Sequence, residues 1–290
     1  MFQVKVMSTR DYEFAVSLAN TMDWNMAVTD FESNHFLEPN GCLVLFNGVI
    51  PVGIATCVSF GEVGWFGNFV VKPEYRRQGA GRLLLEYAVN YLRSRGVQTI
   101  GLYAYPHLEG YYSKFGFKID DNAADVSLNV MNNSNVQAIP CCSSSLFKVE
   151  QFGAHFDFSL LACFDSEFFG ADRSRLLKSL LQEKSSLCYV AFVGNDMVGY
   201  VISKDHGRIV EVGPLVCRPD LSGVAFELLG VMFQRLVGRS VVLYLSPNQV
   251  VLEAFLLRVG FRKSFSLSRM FLGGSRLQDG VCLVESLERG

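Results

Sequence analysis

At 290 residues, 50% hydrophobic and 19% charged, the chain is long enough for two packed domains and too apolar to be disordered. Its formal net charge of −2 lacks the basic excess expected of a general nucleic-acid binder. The opening MFQVKVMSTRDYEF has no basic stretch followed by an apolar core, so no secretory signal is expected.

In chain order, Phe2–Met7 reads as a short strand. Ser8, with Asp11 three residues on, reads as a capping box for a helix running to about Asn20. A polar loop or short helix follows, TMDWNMAVTDFESNHFL. From Pro39 to Gly61 there is no charge, a length that would span a bilayer. The Asn47-Gly48 pair in its middle and the many β-branched residues make it a hairpin instead, Cys42–Phe46 and Val49–Phe60, buried in a sheet. No membrane association is expected.

A strand over Val63–Val71 leads into VKPEYRRQGAGRLLL, then a helix from about Gly79 to Arg95 with Leu84, Tyr87, Ala88, Tyr91 and Leu92 at helical spacing. Gly96 stops it, with Arg93 and Arg95 in the last turn to suit the dipole. Strand Thr99–Tyr105, a short helix around Glu109–Lys114 and a strand after Gly116-Phe117 complete the first half.

The second half repeats this order. VEVGPLVCRPDLSGVAFELLG answers NFVVKPEYRRQGAGRLLLEY, with Pro219 matching Pro73 and Gly260 matching Gly116 at an offset of about 145 residues. So long a period means a duplicated domain, with the linker expected in MNNSNVQAIPCCSSS, residues 131–145, between a first domain 1–130 and a second 146–290.

The eight cysteines (Cys42, Cys57, Cys141, Cys142, Cys163, Cys188, Cys217 and Cys282) form no C-x-x-C pair. They read as reduced core residues of a cytosolic protein, and no histidine stands at metal-ligand spacing. No metal is expected.

Two arginines and two glycines ahead of a helix suit an anion. The Gly-Lys-Ser/Thr of an ATP loop is absent, because Arg82-Leu83 follows Gly81. A dinucleotide fingerprint lacks its third glycine and is separated from the strand by VKPEYRRQ. What remains is a turn whose N–H groups face a pyrophosphate at a helix start, with arginines adding charge.

V-x-P-x-Y-R-x-x-G-x-G between an apolar strand and a helix resembles the coenzyme A signature of the GNAT N-acetyltransferases, with Arg76, Gly79 and Gly81 at its R-x-x-G-x-G positions. Tyr112-Ser113-Lys114-Phe115-Gly116-Phe117 is similar to the family's Y-x-K-x-G-F. Trp24-Asn25, the aromatic strand Trp65–Phe69 and FGADRSRLL at Phe169–Leu177 resemble a narrower group of two-domain members. The resemblance implies a tandem α/β fold, each copy a mostly antiparallel mixed sheet flanked by helices. It also implies acetyl-CoA as donor and an amine as acceptor, the acceptor read as a small molecule because no acidic groove for a basic peptide is evident; the alternatives are a coenzyme A-binding regulatory or interaction protein that no longer turns over, and transfer to a protein or peptide amine. The partners expected are those two molecules, in a monomer or homodimer.

By the same resemblance, Arg76, Arg77, Gln78, Gly79, Ala80, Gly81 and Arg82 would hold the pyrophosphate. Phe69, Val70 and Val71 would offer backbone to pantetheine and one N–H to the thioester oxygen. Tyr112 would protonate the leaving thiolate; its plainer reading is a half-buried helical aromatic. Glu62 and His107 are candidates for the base, although each reads more simply as a turn or loop residue. Trp24, Asn25 and Asp30 fall in the loop region that lines the acceptor in the family, with Trp24 equally readable as a hydrophobic plug. The second half has PDLSG in place of the arginine-glycine loop and Leu256 in place of the tyrosine, so it is expected to bind no coenzyme A. Asp172 is expected to cap the helix after Gly170, with Arg173 solvated or ion-paired; the alternative has this segment closing over the acceptor.

Overall fold

The computed structural model describes residues 1–120, 127–138, 146–221, 223–274 and 280–290. The chain order is β1 Phe2–Val6, α1 Tyr12–Asn20, α2 Val28–Leu37, β2 Cys42–Asn47, β3 Ile50–Phe60, β4 Val63–Val71, α3 Ala80–Ser94, β5 Thr99–Ala104 and α4 Glu109–Ser113. It continues with β6 Lys118–Ile119, β7 Ser127–Asn133, β8 Lys148–Gln151, α5 Phe158–Phe169, α6 Ser174–Gln182, β9 Leu187–Val193 and β10 Asp196–Asp205. Last come β11 Val210–Cys217, α7 Val224–Arg235, β12 Val241–Leu245, α8 Val250–Arg258, β13 Arg262–Leu272 and β14 Val281–Leu283.

The chain divides into two compact units. The first holds Met1–Leu102 together with Phe271–Gly274 and Glu288–Gly290; the second holds the described residues of Tyr103–Met270 and Ser275–Leu287. Duplication and compact packing are therefore different divisions of this chain. Strand β7 shows why. It pairs on one side with β12 and on the other with β13, so Met131–Asn133, expected as linker, are sheet. Residues 139–145 of the expected linker lie outside the described residues.

In the first unit the local signals hold. Asp11 accepts from the Ser8 amide at 2.8 Å and its hydroxyl at 2.7 Å, the expected box, although a 3-10 turn over Thr9–Asp11 precedes α1. The charge-free stretch is the antiparallel pair β2–β3, turned at Gly48 in the left-handed region. The sheet runs β1-β2-β3-β4-β5, and all of its pairings are antiparallel except β4–β5. Helix α3 buries Leu84, Leu85, Ala88 and Leu92. Gly96 ends it at φ 85°, and Arg93 donates to the carbonyls of Val97 and Gln98. Tyr12, Leu18 and Phe31 of α1 and α2 pack with Val44, Ile54 and Val70. Each such side chain contributes on the order of 1.5–3 kcal/mol when fully buried.

The second unit repeats the pattern with β8-β9-β10-β11 antiparallel and β11–β12 parallel. Helix α7 buries Val224, Leu228, Leu229, Met232 and Phe233 against this sheet. No described helix is long and apolar enough to cross a membrane.

Candidate active site

Strand β4 leaves β5 part-way along. Their parallel register covers Val63 with Thr99, Gly64 with Ile100 and Trp65 with Gly101, and goes no further. On its other edge β4 stays with β3 through Thr56–Gly67, Ile54–Val70 and Gly53–Val71. Asn68 and Phe69 oppose the single residue Ala55, which makes a β-bulge. Asn68 sits there at φ 48° and its amide donates to Thr56 Oγ1 at 3.1 Å. One backbone edge of Phe66–Val71 thus faces a fork rather than a strand, where an extended ligand chain can be held by main-chain groups.

The fork runs into the arginine-glycine loop. Pro73–Tyr75 form a 3-10 turn, and Arg76 Nε donates to the Val71 carbonyl at 2.8 Å, bracing the loop against the strand end. Gln78 braces it again by donating to the Glu74 carbonyl at 2.6 Å. Arg77 (φ 61°) and Gly79 (φ 86°) are both left-handed, a conformation glycine adopts freely and arginine only at a cost. Gly79 is the N-cap of α3 and carries no side chain to cap it. The first helical N–H groups, from Ala80 to Arg82, therefore point outward at the positive end of the helix. A Cβ on Gly79 would meet nothing, so its φ and not crowding asks for glycine. Arg76 and Arg77 are exposed, while Arg82 pairs with Glu86 at 2.8 Å.

In the second unit the matching fork is filled. The β11–β12 register ends at Val212–Leu243, and β14 enters between the two strands. Leu283 pairs with Leu215 on one side and Leu245 on the other, and Val281 pairs with Val216. Main-chain bonds lock it: Cys217 N to Gly280 O at 2.8 Å, Ser246 N to Cys282 O at 3.0 Å, and Val284 N to Tyr244 O at 3.0 Å. The loop beyond differs as well. Arg218 is held by Asp220 in a two-pronged pair at 3.0 and 2.6 Å, which keeps Asp220 ionised below its usual range. Gly223 (φ 109°) caps α7 as Gly79 caps α3, but Phe147 stands within contact of where a Cβ would be.

An acetyltransferase (GNAT) family model matches residues 9–117, and an acetyltransferase (GNAT) domain model matches residues 161–281. The chain belongs to the GNAT acetyltransferases. Among curated GNAT relatives, the chloroplastic serotonin N-acetyltransferase 2 of Oryza sativa subsp. japonica is 41% identical over 76 residues, 25% of this chain and 37% of that protein. The ribosomal protein bS18-alanine N-acetyltransferase of Escherichia coli is 43% identical over 56 residues, 19% of this chain and 37% of that protein. The chain thus matches little more than a third of the length of either relative. Two solved structures share the fold over nearly the whole chain. A proposed acetyltransferase of Pyrococcus horikoshii has TM-score 0.78 at 20% identity, covering 100% of this chain and 96% of its own. A tandem GNAT protein from the clavulanic acid biosynthesis pathway has TM-score 0.65 at 14% identity, covering 95% and 100%.

Against this GNAT frame the other expected site residues fall as follows. Glu62 lies in the turn just before β4, and its carboxylate accepts from Gln98 at 2.9 Å. It stands six residues before the bulge, about 20 Å of strand rise. Through Gln98 it ties this turn to the start of β5. His107 lies exposed in the second unit, stacked on Tyr105 with centroids 5.7 Å apart. Tyr112, also in the second unit, is buried to 5% exposure beside Tyr111 and Phe117. Burial, aided by Tyr111, pushes its phenol above the ordinary value near 10, so it keeps its proton at neutral pH.

Trp24 is half-buried and packs against the α1–α2 core that includes Val70. Asn25 is exposed and left-handed at φ 52°. Asp30 accepts from the Ala27 amide at 2.7 Å and so caps α2; that bond is a structural use of its carboxylate. Asp172 accepts from Ser174 N at 2.8 Å, one residue before the N-cap position of α6, which Arg173 occupies. Arg173 is wholly buried rather than solvated. It forms a two-pronged pair with Asp165 at 3.0 and 2.6 Å and stacks 3.7 Å from the Phe169 ring, while Tyr200 donates to the same carboxylate at 2.5 Å. The pairing was among the sequence expectations; the partner, eight residues upstream on α5, was not.

Proposed function

We propose that this protein transfers an acetyl group from acetyl-CoA to a primary amine, of a small molecule, by direct attack of the amine on the thioester. The observation that carries this is the open β4–β5 fork leading straight into the left-handed loop at the head of α3. The loop from Arg76 to Arg82 would hold the pyrophosphate through backbone N–H groups and the exposed guanidinium of Arg77. The backbone of Phe69, Val70 and Val71 would hold pantetheine and present an N–H to the developing oxyanion. Tyr112 has the buried, protonated phenol that a thiolate acid needs, and its family position supports that role.

The halves 1–130 and 146–290 are the proposed duplicated domains. The second is proposed to bind no coenzyme A, because β14 occupies its fork and Asp220 faces its loop. The small-amine reading rests on the near-neutral charge and the lack of an acidic stretch. One of the two relatives is named for a small amine, serotonin, and the other for an alanine of a ribosomal protein.

Titration calorimetry with acetyl-CoA, followed by a thiol-release assay over a panel of amines and peptides, tests the reading. One binding event per chain and release of thiol with small amines is the expected result. No thiol with any acceptor would reject the enzyme; release with peptides alone would reject the small acceptor.

A further inference from the structure

An ammonium acceptor must lose a proton before its nitrogen can attack, and Glu62, in the turn before β4, already accepts from Gln98. Another carboxylate stands at the right place. A Cβ added to Gly67 would overlap both Cα and Cβ of Glu288, so residue 288 is seated directly on the strand, one position before the bulge at Asn68. Gly67 lies just past Trp65–Gly101, the last β4–β5 pair, which places Glu288 at the mouth of the fork.

Its neighbours fix that seat. Arg289 is buried to 7% exposure and donates to Asn34 Oδ1 of α2 at 3.3 Å. A Cβ on Gly290 would overlap the Trp65 indole. The face is fixed too: Val70 packs with Tyr12, Leu18 and Phe31 of α1 and α2, and Arg289 reaches α2. Glu288 thus lies on the α1–α2 side of β4. Phe69 is two residues along, about 7 Å of strand rise, a span a glutamate covers directly or through one water.

Two other carboxylates of the first unit, Glu38 and Asp30, hold structural hydrogen bonds. Glu38 takes the Ser59 hydroxyl at 2.6 Å and the Tyr91 hydroxyl at 2.5 Å, and Asp30 takes the Ala27 amide. Arg289 stands 3.6 Å from the Glu288 carboxylate. Cys42 on β2 stays a neutral thiol because burial and Glu38 raise its pKa to about 12 against the pull of Arg289.

We infer that Glu288 is the general base of the transfer reaction, removing a proton from the acceptor ammonium at the mouth of the fork. The assignment rests on the acetyltransferase reading. The atoms balance: Glu288 takes one proton and returns it to water, the N–C bond forms, and the C–S bond breaks. The thiolate is protonated and the second proton on nitrogen makes good that one. One amide, one thiol and one released proton result, with no oxidant or reductant.

The test follows thiol release by wild type, Glu288→Gln and Glu288→Asp with the best amine of the panel, from about pH 6 to pH 10. Expected is a kcat lower by roughly 100-fold or more in Glu288→Gln, with acetyl-CoA affinity and Tm unchanged. The acid limb of the kcat/KM profile should move to the pKa of the amine itself, and Glu288→Asp should recover part of the loss. Turnover within about twofold of wild type at every pH overturns the assignment, as does a raised KM at unchanged kcat. If Glu288→Gln is less stable, Glu288→Asp decides: activity no higher than the glutamine variant at equal stability overturns it. A wild type that binds acetyl-CoA but acetylates no amine sinks the enzyme reading and this assignment together; an active wild type matched by Glu288→Gln sinks this one alone.

Discussion

Two forks, one open and one filled, separate the halves of this chain. In each, a parallel strand pair runs together for three residue pairs and then parts. In each, a left-handed glycine heads the helix that follows. The β4–β5 fork leads to an exposed arginine pair, whereas the β11–β12 fork holds β14 and leads to an arginine already neutralised by Asp220. Glycines at matching places, Gly67 and Gly213, both admit a close-passing backbone: Glu288 at the first, Val284 at the second. The lesson is that where a parallel strand pair parts, it leaves a main-chain edge that an extended segment can line, as β14 does in the second unit.

The comparison can be broken first in the second unit. Asp165→Ala strands the buried guanidinium of Arg173 and removes the acceptor of Tyr200. It should cost about 3–5 kcal/mol of stability in urea unfolding. Up to the transition, acetyl-CoA should still bind once per chain, since the open fork belongs to the other unit.

Tyr112→Phe should lower kcat by on the order of 100-fold with acetyl-CoA affinity intact, a loss near 2.7 kcal/mol at the transition state. Undiminished turnover would remove the thiolate acid. Because burial raises this phenol above its ordinary value near 10, no activity loss below about pH 10 should trace to its ionisation.

The paired glycines give a sharper contrast. Alanine at Gly79 (φ 86°) or Gly223 (φ 109°) should each cost about 1–2 kcal/mol in Tm-derived stability, since both sit in the left-handed region. Only Gly79→Ala should weaken acetyl-CoA binding in calorimetry. Equal effects on affinity would mean that the two helix starts are not functionally distinct.

The smallest effect is expected at Asp220→Arg. It removes the anion facing the second loop, yet β14 still fills the fork, so stoichiometry should stay at one. The sign is checked by pH. Arg218 lowers the pKa of Asp220, so their pair persists above the ordinary carboxylate value and is lost as pH falls through the lowered one. A second binding event in the variant would show that charge, not strand occupancy, closes this half.

Much of the first unit was legible because its signals are local. Asn47-Gly48 set the hairpin, Ser8 and Asp11 set the start of the first helical segment, and Gly79 set the head of α3. The bound partners of polar residues were less legible. Glu62 reads as a free turn carboxylate until Gln98, 36 residues on, is seen to hold it. Arg173 reads as either solvated or paired until burial and Asp165 decide. Glu288 carries no motif at all; the one local trace of its seat is a glycine, Gly67, in an aromatic strand.

By itself the sequence determined the family, the duplication and the loss of the arginine-glycine loop in the second copy. These depend on residues within one turn or one strand of each other, where backbone propensity and short hydrogen bonds dominate. Only the tertiary structure decided which fork is open, because β14 reaches its slot from some 65 residues beyond β11, by main-chain bonds that do not depend on which side chains the residues carry. The same holds for the carboxylate at the mouth of the first fork. Strand edges and close backbone contacts carry little side-chain code, so their partners are fixed by the packing of the whole chain.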